Sequence, residues 1–265
     1  MPEPYVHGYS PREARRLADQ ANVLADRLHA GVRYPAGARV LEVGCGVGAQ
    51  TLHLARNNPH SAITAVDISP ASLAAAQQLL AGVGATVDFV QGDLFALPFP
   101  DAAFDHLFVC FVLEHLPDPV DALRHVTRYL RPGGSLTVIE GDHGSFLCHP
   151  QSADADAAVA CLIELQRRAG GDGCIGRRLY PVLCAAGFAD ARVEPVPIYA
   201  DPSAPDAVEA FTRNTFNAMV AGVEQRALEA GLTTRDAWQR GMDALERAAA
   251  DGTASYCFFR GTATR

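Results

Sequence analysis

Short apolar segments alternate with helical patterns along residues 38–142, and this alternation constrains the fold more than any other feature of the chain. Apolar runs bounded by turn residues predict buried strands at residues 38–43, 62–69, 87–93, 104–113 and 135–142. Helical patterns follow the first, second and fourth of these strands. Because crossovers between parallel strands are right-handed, such a chain forms an α/β, doubly wound and mostly parallel sheet with helices on both faces.

The segments on either side of this alternation add a helical extension and a helical lid. Ser10, Pro11 and Glu13 are the residue types expected at a helix start, and a helical pattern then runs to Gly31. Beyond residue 142 we predict further helices and an edge strand at residues 191–201, whose prolines cannot donate to a neighbouring strand. A closing strand follows at residues 254–264, which brings the predicted sheet to seven strands.

Four regions follow from this order. We predict an N-terminal helical extension that covers the active site, a Rossmann-like core, a helical lid region that includes the edge strand, and the closing strand of the core sheet. Their boundaries are residues 1–36, 37–145, 146–253 and 254–265. The helices that precede the closing strand are expected to form a lid inserted before the last strand, and no separate second domain is expected.

Composition excludes several classes of partner. The net charge of −8 argues against nucleic acid and anionic membranes, since both require a basic face. No apolar run approaches the roughly 18 residues that a membrane span needs. The seven cysteines form no CxxC or Cys/His cluster, which favours reduced thiols over disulfides or a metal site. We therefore expect a soluble cytoplasmic protein that binds no metal.

The segment LEVGCGVGAQ, residues 41–50, places three glycines directly after the first predicted strand. Glycines at this point let a ligand lie against bare backbone, beside the free N–H groups of the next helix. Gly44, Gly46 and Ala49 also satisfy the dinucleotide pattern GxGxxG/A, and Asp67 follows at the spacing of a ribose-binding acid. An NAD-dependent oxidoreductase is therefore one hypothesis for this loop.

Two further acids favour a ligand of a different kind. Glu42 lies two residues before the first glycine, where a carboxylate would repel a pyrophosphate but suit a cation. Asp93 ends the third strand, so it is expected at the same edge of the sheet. A ligand with a ribose and an amino group but no phosphate fits this set of acids.

Four successive segments together resemble the motifs of the class I S-adenosylmethionine-dependent methyltransferases, in the ubiquinone/menaquinone-biosynthesis-like branch. The segments are VLEVGCGVGAQTLHLA, AVDISPASLAAAQ, VQGDLFALPFPDAAFDHLFVCFVLEHL and LRPGGSLTVIE, and they span about residues 36–145 in the family's order. The resemblance implies S-adenosylmethionine as cofactor and S-adenosylhomocysteine as product.

The resemblance also implies which residues bind the cofactor. Glu42 and the glycine loop would shape the pocket for the methionine part, Asp67 would accept from both ribose hydroxyls, and Ile68 would pack on the adenine. Asp93 and the Leu94 backbone would read the adenine edge, and the end of the fourth strand would lie along the sulfonium. With Tyr9 closing the site, the predicted cofactor-binding set is Tyr9, Glu42, Gly44, Cys45, Gly46, Gly48, Asp67, Ile68, Gly92, Asp93, Leu94, Cys110 and Phe111.

Candidate bases follow the fourth and fifth strands. His115 could take a proton from an acceptor, because a histidine titrates near neutrality; the alternative is a structural histidine. Asp142 could orient His143 as a base, or both could belong to an ordinary turn. Glu114 is interpreted as a helix-start residue, and Arg177 with Arg178 as a solvated surface pair.

The acceptor itself is not specified by any motif. We expect methyl transfer to a small molecule through oxygen, nitrogen or carbon, in biosynthetic or secondary metabolism. Phe211, Phe216, Met219 and Trp238 could line an apolar acceptor pocket or form the core of the lid. A homodimer and a non-catalytic cofactor-binding protein of the same fold both remain open.

Overall fold

The structure, a computed structural model, describes residues 24–188 and 190–265. Residues 24–28 are helical, within the pattern predicted from Ser10 to Gly31. Ser10, where a helix is predicted to start, and Tyr9 lie outside the described residues, so the contacts predicted for Tyr9 stay predictions.

Seven strands form one sheet, as predicted. They are β1 (Arg39–Val43), β2 (Ala62–Asp67), β3 (Thr86–Gln91), β4 (Phe104–Cys110), β5 (Leu130–His149), β6 (Arg192–Ala200) and β7 (Thr253–Thr264). Their order across the sheet is β3-β2-β1-β4-β5-β7-β6. β1 to β5 are parallel, whereas β7 runs antiparallel to both β5 and β6. The order reverses direction at β1 and β4, which makes the carboxyl ends of these strands the expected ligand site.

Helices cover both faces of the sheet. They are α1 (Ala49–Asn57), α2 (Pro70–Leu79), α3 (Pro119–Thr127), α4 (Ala153–Arg168), α5 (Leu179–Ala185), α6 (Pro205–Ala207, Val208–Asn217 and Ala218–Ala221, continuous), α7 (Glu224–Glu229) and α8 (Arg235–Asp251). Short 3₁₀ turns cover Leu94–Ala96, Leu113–His115 and Ile175–Arg178. Side-chain caps determine where two of these helices begin. The Ser69 hydroxyl accepts from the Ser72 N–H at the start of α2, and Asp118 does the same for α3.

The central strands are buried on both faces, which explains their nearly continuous apolar sequences. In β4, Leu107 and Val109 belong to one hydrophobic cluster, while Phe108 and Cys110 belong to the cluster on the opposite face. This alternation is the physical basis of the doubly wound arrangement. A strand with one solvated face would instead alternate apolar and polar residues.

β5 differs from its prediction, because it continues to His149 although we expected it to end near residue 142. β7 supplies the additional pairing: Asp142 lies opposite Cys257, and Leu147 lies opposite Ser255. The intervening residues form a bulge that the Ser145 hydroxyl closes, since it donates to the Asp142 carbonyl and accepts from the Cys257 N–H. The glycines and polar residues of EGDHGS therefore belong to a bulged strand rather than to a turn.

The lid helices lie between β6 and β7 in the chain, as predicted, and β6 is an edge strand. The middle of α6, Val208–Asn217, is π-helical, a geometry that is rare and often found at functional sites. α6 brings Phe211 and Phe216 onto Tyr256 of β7. Among the described residues, no helix is long and apolar enough to cross a membrane, and no cluster of potential metal ligands occurs.

Candidate active site

The three glycines after β1 all have positive φ angles, of 74°, 52° and 81° for Gly44, Gly46 and Gly48. Two of them are required by packing. A Cβ on Gly44 would lie 2.5 Å from a methyl of Val112, and one on Gly48 would lie 2.8 Å from the Cβ of Ala76. A Cβ on Gly46 would meet nothing within 4 Å, so this glycine faces open space. Gly46 is therefore the position where a ligand can approach bare backbone.

The carboxylate of Asp67 lies at the end of β2, next to the glycine loop. Its Oδ2 accepts from the Gly46 N–H and its Oδ1 accepts from the Ser69 N–H, both at 2.8 Å. Each carboxylate oxygen retains a further lone pair, so the half-buried carboxylate can still accept from a diol. The geometry fits the predicted ribose contact.

Apolar side chains stand exposed beside Asp67. Ile68 is 62% exposed and Phe95 is 43% exposed, which is unusual for residues of this size. Asp93 starts the 3₁₀ turn that carries Leu94 and Phe95, because its Oδ1 accepts from the Phe95 N–H at 3.0 Å. Gly92 is fixed to β2 through its N–H, which donates to the Asp67 carbonyl. The exposed Ile68 side chain has the position expected of a residue that packs against a planar base.

Glu42 is only 2% exposed, and burial raises its pKa to about 7. The nearby Thr51 hydroxyl partly offsets this effect, while the charge of Asp67 adds to it. Within the described chain, Oε2 of Glu42 has no close hydrogen-bond donor. A buried carboxyl with an open acceptor suits a cationic ligand. Cys45 is also buried, and burial raises the pKa of its thiol, which gives no support for a nucleophilic role.

The chain turns sharply after β4. Cys110 is buried at the end of the strand, and Phe111 has a φ of 58°, which is rare for a non-glycine residue. The turn is held by Glu140 of β5, whose Oε1 accepts from the N–H groups of Val112 and Leu113 at 3.0 and 2.7 Å. Burial, reinforced by the charge of Glu114, raises the pKa of Glu140 well above its usual range. Strained backbone of this kind clusters at functional sites.

Glu114 lies in the first turn of the short 3₁₀ helix after β4, in agreement with its interpretation as a helix-start residue, but its side chain is buried. Its Oε2 accepts from Nε2 of Gln166 at 3.2 Å and lies 3.6 Å from Nε2 of His143. Its Oε1 lies 3.5 Å from Nε2 of His115. Both candidate histidines therefore face the same buried carboxylate.

His143 and Asp142 have separate partners. Nδ1 of His143 lies 2.9 Å from the Tyr256 hydroxyl, and the backbone N–H of His143 donates to the Gly173 carbonyl. The carboxylate of Asp142 accepts from the Arg177 guanidinium through both oxygens, at 2.6 and 2.8 Å. This pairing makes Asp142 an anchor for the loop that follows α4, rather than the group that orients His143. Arg177 is itself exposed, as interpreted from the sequence, but it is paired with Asp142.

A second glycine-rich segment, GGDGCIG at residues 170–176, closes over these groups. A Cβ on Gly171 would lie 2.3 Å from the Glu114 carbonyl oxygen. A Cβ on Gly173 would collide with the amide of Gln166 and lie 2.8 Å from the His143 ring. Only glycine allows this backbone to approach the buried polar side chains so closely.

Aromatic rings extend from the end of β4 to the lid. The ring of Phe111 lies 5.5 Å from that of Phe258, which lies 4.7 Å from Tyr256. From α6, Phe211 and Phe216 approach Tyr256 at 5.7 and 5.6 Å. We call Phe111, Phe211, Phe216, Tyr256 and Phe258 the aromatic wall. It places apolar surface beside the predicted sulfonium position, with one phenol hydroxyl in it.

Two members of the polar site were missed by the sequence reasoning. Gln166 and Tyr256 carry no motif, and their positions come from α4 and β7, far along the chain from Glu114. The available signal was the second glycine segment, since glycines at close spacing indicate a close backbone approach. Without knowledge of its packing partners, that segment reads as a helix end.

The residues at the carboxyl edge of β1, β2 and β4 fit S-adenosylmethionine. Gly46 provides open backbone, Asp67 provides a diol acceptor, and Glu42 provides a buried carboxyl for a cationic ligand. No described group here adds a basic side chain of the kind that a pyrophosphate requires.

Comparison with known proteins agrees with this geometry. Residues 41–138 match the family model described as "Methyltransferase domain". The chain is 32% identical over 208 residues to 27-O-demethylrifamycin SV methyltransferase of Amycolatopsis mediterranei, covering 77% of this chain and 74% of that protein. It is 40% identical over 113 residues to the ubiquinone/menaquinone biosynthesis C-methyltransferase UbiE of Hahella chejuensis, covering 42% and 45% of the two chains.

Among solved structures, the chain is similar to the [4+2]-cyclase SpnF. The TM-score is 0.53 at 26% identity, and the match covers 92% of this chain and 80% of that one. The family match favours the methyl donor over a dinucleotide as the ligand of the glycine loop. The chain therefore belongs to the class I S-adenosylmethionine-dependent small-molecule methyltransferases, in the ubiquinone/menaquinone-biosynthesis-like branch.

Proposed function

We propose that this protein methylates a hydroxyl oxygen of a large, mostly apolar natural product, with His143 as the base that receives the proton. The observation that carries the proposal is the bond between His143 Nδ1 and the Tyr256 hydroxyl, inside an aromatic wall that begins beside the predicted cofactor site. A buried imidazole beside this hydroxyl can receive the proton that an oxygen acceptor has to lose.

The chemistry of an oxygen acceptor explains why a base is present. The bound cofactor supplies an activated methyl group, so the protein has to align the acceptor with it and exclude water. An alcohol keeps its proton until attack, and a positioned base contributes about 10²–10⁴-fold to such a step. His143 can serve because one ring nitrogen of a neutral imidazole is able to accept a proton.

The chemical class of the methyl acceptor is inferred from the aromatic wall and from the similar proteins. Phe211, Phe216 and Phe258 pack in the hydrophobic core beneath the lid, so the surroundings of the Tyr256 phenol are apolar and suit an apolar acceptor. The relative from Amycolatopsis mediterranei is named for 27-O-demethylrifamycin SV, and the match covers most of both chains. These observations together support O-methylation of a polyketide-like compound in secondary metabolism.

The proposal is tested by incubating the protein with S-adenosylmethionine and a panel of hydroxylated polyketides that includes 27-O-demethylrifamycin SV. We expect S-adenosylhomocysteine and an O-methylated product in equal amounts, measured by mass spectrometry and located by NMR. The Asp67→Ala variant is the negative control, since it should lose the donor. Methylation at nitrogen or carbon, or rearrangement of a compound without release of S-adenosylhomocysteine, would show that the proposal is wrong.

A further inference from the structure

We propose that Tyr256 is the residue that contacts the acceptor hydroxyl, and that His143 and Glu114 behind it form a relay that carries the proton away from the reaction centre. The inference rests on the proposed O-methylation and deepens it. It assigns a catalytic role to Tyr256 and a positioning role to Glu114, neither of which follows from the sequence motifs.

The surroundings of the Tyr256 phenol indicate that its hydroxyl donates the hydrogen bond to His143. Burial holds the pKa of Tyr256 well above its usual range, so the phenol keeps its proton. A protonated phenol has one O–H to donate. The phenol proton is then directed at Nδ1 of His143, 2.9 Å away. Nδ1 is the acceptor in this bond.

The contact between His143 and Glu114 follows from the bond between His143 and Tyr256. A neutral imidazole that accepts at Nδ1 carries its hydrogen on Nε2. That nitrogen lies 3.6 Å from Oε2 of Glu114, in a pair whose two side chains are almost completely buried. The carboxylate favours the imidazolium that would form when His143 gains a proton. Gln166 holds the carboxylate in place by donating to the same oxygen at 3.2 Å.

Close backbone packing fixes the relay. A Cβ on Gly141 would lie 2.4 Å from the Tyr256 hydroxyl, so this glycine makes room for the phenol. Gly173 lies against Gln166 and His143 in the same way. The other ionisable groups around the relay are His115, whose Nε2 lies 3.5 Å from Oε1 of Glu114, Cys110 at the end of β4, Glu140 and Asp142 of β5, and Cys174 and Arg177 of the loop after α4. Asp142 is paired with Arg177.

Tyr256 is the member of the relay whose ring belongs to the aromatic wall, although it is as buried as His143. This ring lies between Phe258 on the side of the glycine loop and Phe216 on the side of the lid. His143 and Glu114 lie behind it, beneath the second glycine segment. Because Tyr256 is only 4% exposed, an acceptor reaches its phenol oxygen only after side chains of α6 have moved away from the aromatic wall.

The relay gives the acceptor proton a route from the reaction centre to His143. As the acceptor oxygen forms its bond to the methyl carbon, the carbon–sulfur bond breaks and its electron pair stays on sulfur. The acceptor proton passes to the oxygen of Tyr256, whose own proton passes to Nδ1 of His143. The imidazolium is stabilised by Glu114 and returns its proton to solvent after product release.

The first test needs no acceptor. Wild type, Tyr256→Phe and Glu114→Gln are labelled with ¹⁵N and ¹³C at histidine, and the His143 ring is followed by NMR against pH in the presence of S-adenosylhomocysteine. We expect an Nε2–H tautomer in wild type, a changed Nδ1 resonance in Tyr256→Phe, and a His143 pKa lowered by about one unit or more in Glu114→Gln. Tyr199→Phe, which alters an exposed tyrosine, is the matched control. An Nδ1–H tautomer in wild type would overturn the relay.

The second test uses the O-methylation assay. Tyr256→Phe keeps the ring in the aromatic wall, so we expect it to fold and to lose about 10²-fold or more in kcat. In Glu114→Gln the acidic limb of the kcat/KM profile should move to lower pH, a shift that a purely structural role would not cause. Wild-type kcat in Tyr256→Phe would refute its catalytic role. If no panel compound is methylated at oxygen, the proposed function fails, while the NMR result still decides whether the relay exists.

Discussion

Gly46 and Asp67 are joined by a hydrogen bond in which the Gly46 N–H donates to Oδ2 of Asp67 at 2.8 Å. This bond ties the loop after β1 to the end of β2. One carboxylate therefore shapes the glycine loop and also remains available to a ligand, so the two halves of the cofactor site depend on each other.

Removing that carboxylate should abolish cofactor binding. In Asp67→Ala, we expect the affinity for S-adenosylhomocysteine to fall by at least about 10²-fold, because two charge-assisted hydrogen bonds are worth about 1.5–3 kcal/mol each. Calorimetric titration measures the loss. Asp88→Ala, an exposed acid on β3, is the control and should bind normally. Unchanged affinity in Asp67→Ala would contradict the assigned ribose contact.

Gly46 should be required for binding rather than for folding. A left-handed alanine costs about 1–2 kcal/mol, and Gly46→Ala adds no collision because its Cβ would meet nothing within 4 Å. Gly82 at the opposite edge of the sheet has a φ of 86° and the same open surroundings. We expect denaturant titration to show similar destabilisation for both alanine variants, whereas only Gly46→Ala should lose affinity for S-adenosylhomocysteine. Equal affinities in the two variants would exclude Gly46 as a ligand contact.

Glu42 should make the unliganded protein less stable as the pH rises. Its pKa is about 7 in the native state and near 4.5 when unfolded, so the native state binds the proton more tightly. The stabilisation is complete below pH 4.5 and is lost as the pH rises through 7. Relative to Glu42→Gln, wild type should lose about 3 kcal/mol of unfolding free energy across this window. Urea titrations at several pH values measure it, and parallel pH curves for the two proteins would refute the assignment.

The stacked pair between β5 and the lid should contribute strongly to stability. The rings of Phe146 and Phe216 lie 3.9 Å apart and nearly parallel, and Phe216 is almost fully buried. Phe216→Ala should lower the unfolding free energy by about 3–5 kcal/mol, because it leaves a cavity beneath α6. Leu147→Ala, an exposed neighbour on β5, should change it by less than about 0.5 kcal/mol. A small effect at Phe216 would mean that the lid packs differently in solution.

The core of the fold could be predicted from the sequence because its determinants are local. A strand that is covered on both faces must be apolar throughout, and Val40, Ile63 and Leu107 lie in such strands. The glycine loop was equally readable, since positive φ angles and a close approach of Val112 require glycine. The structure confirms the doubly wound sheet and the lid before the last strand.

The acceptor half of the site could not be predicted because its contacts are not local. Glu114, His143 and Tyr256 come from three separate elements, and their pairing depends on a bulge whose partner strand lies about a hundred residues further along the chain. Asp142 was adjacent to His143 in sequence, but a bulged strand directs neighbouring side chains differently, and Arg177 pairs with Asp142 instead. Sequence proximity was a poor guide to contact at this position.

The insertion of β7 between β5 and β6 has a consequence for the order of assembly. β6 precedes β7 in the chain but has no place in the sheet until β7 is paired. The carboxyl ends of β1, β2 and β4, where the methyl donor is expected to bind, can therefore form before Tyr256 has been synthesised. Hydrogen exchange during refolding should show β1 and β4 protected before β6, so that the protein gains its methyl donor before it can distinguish among acceptors.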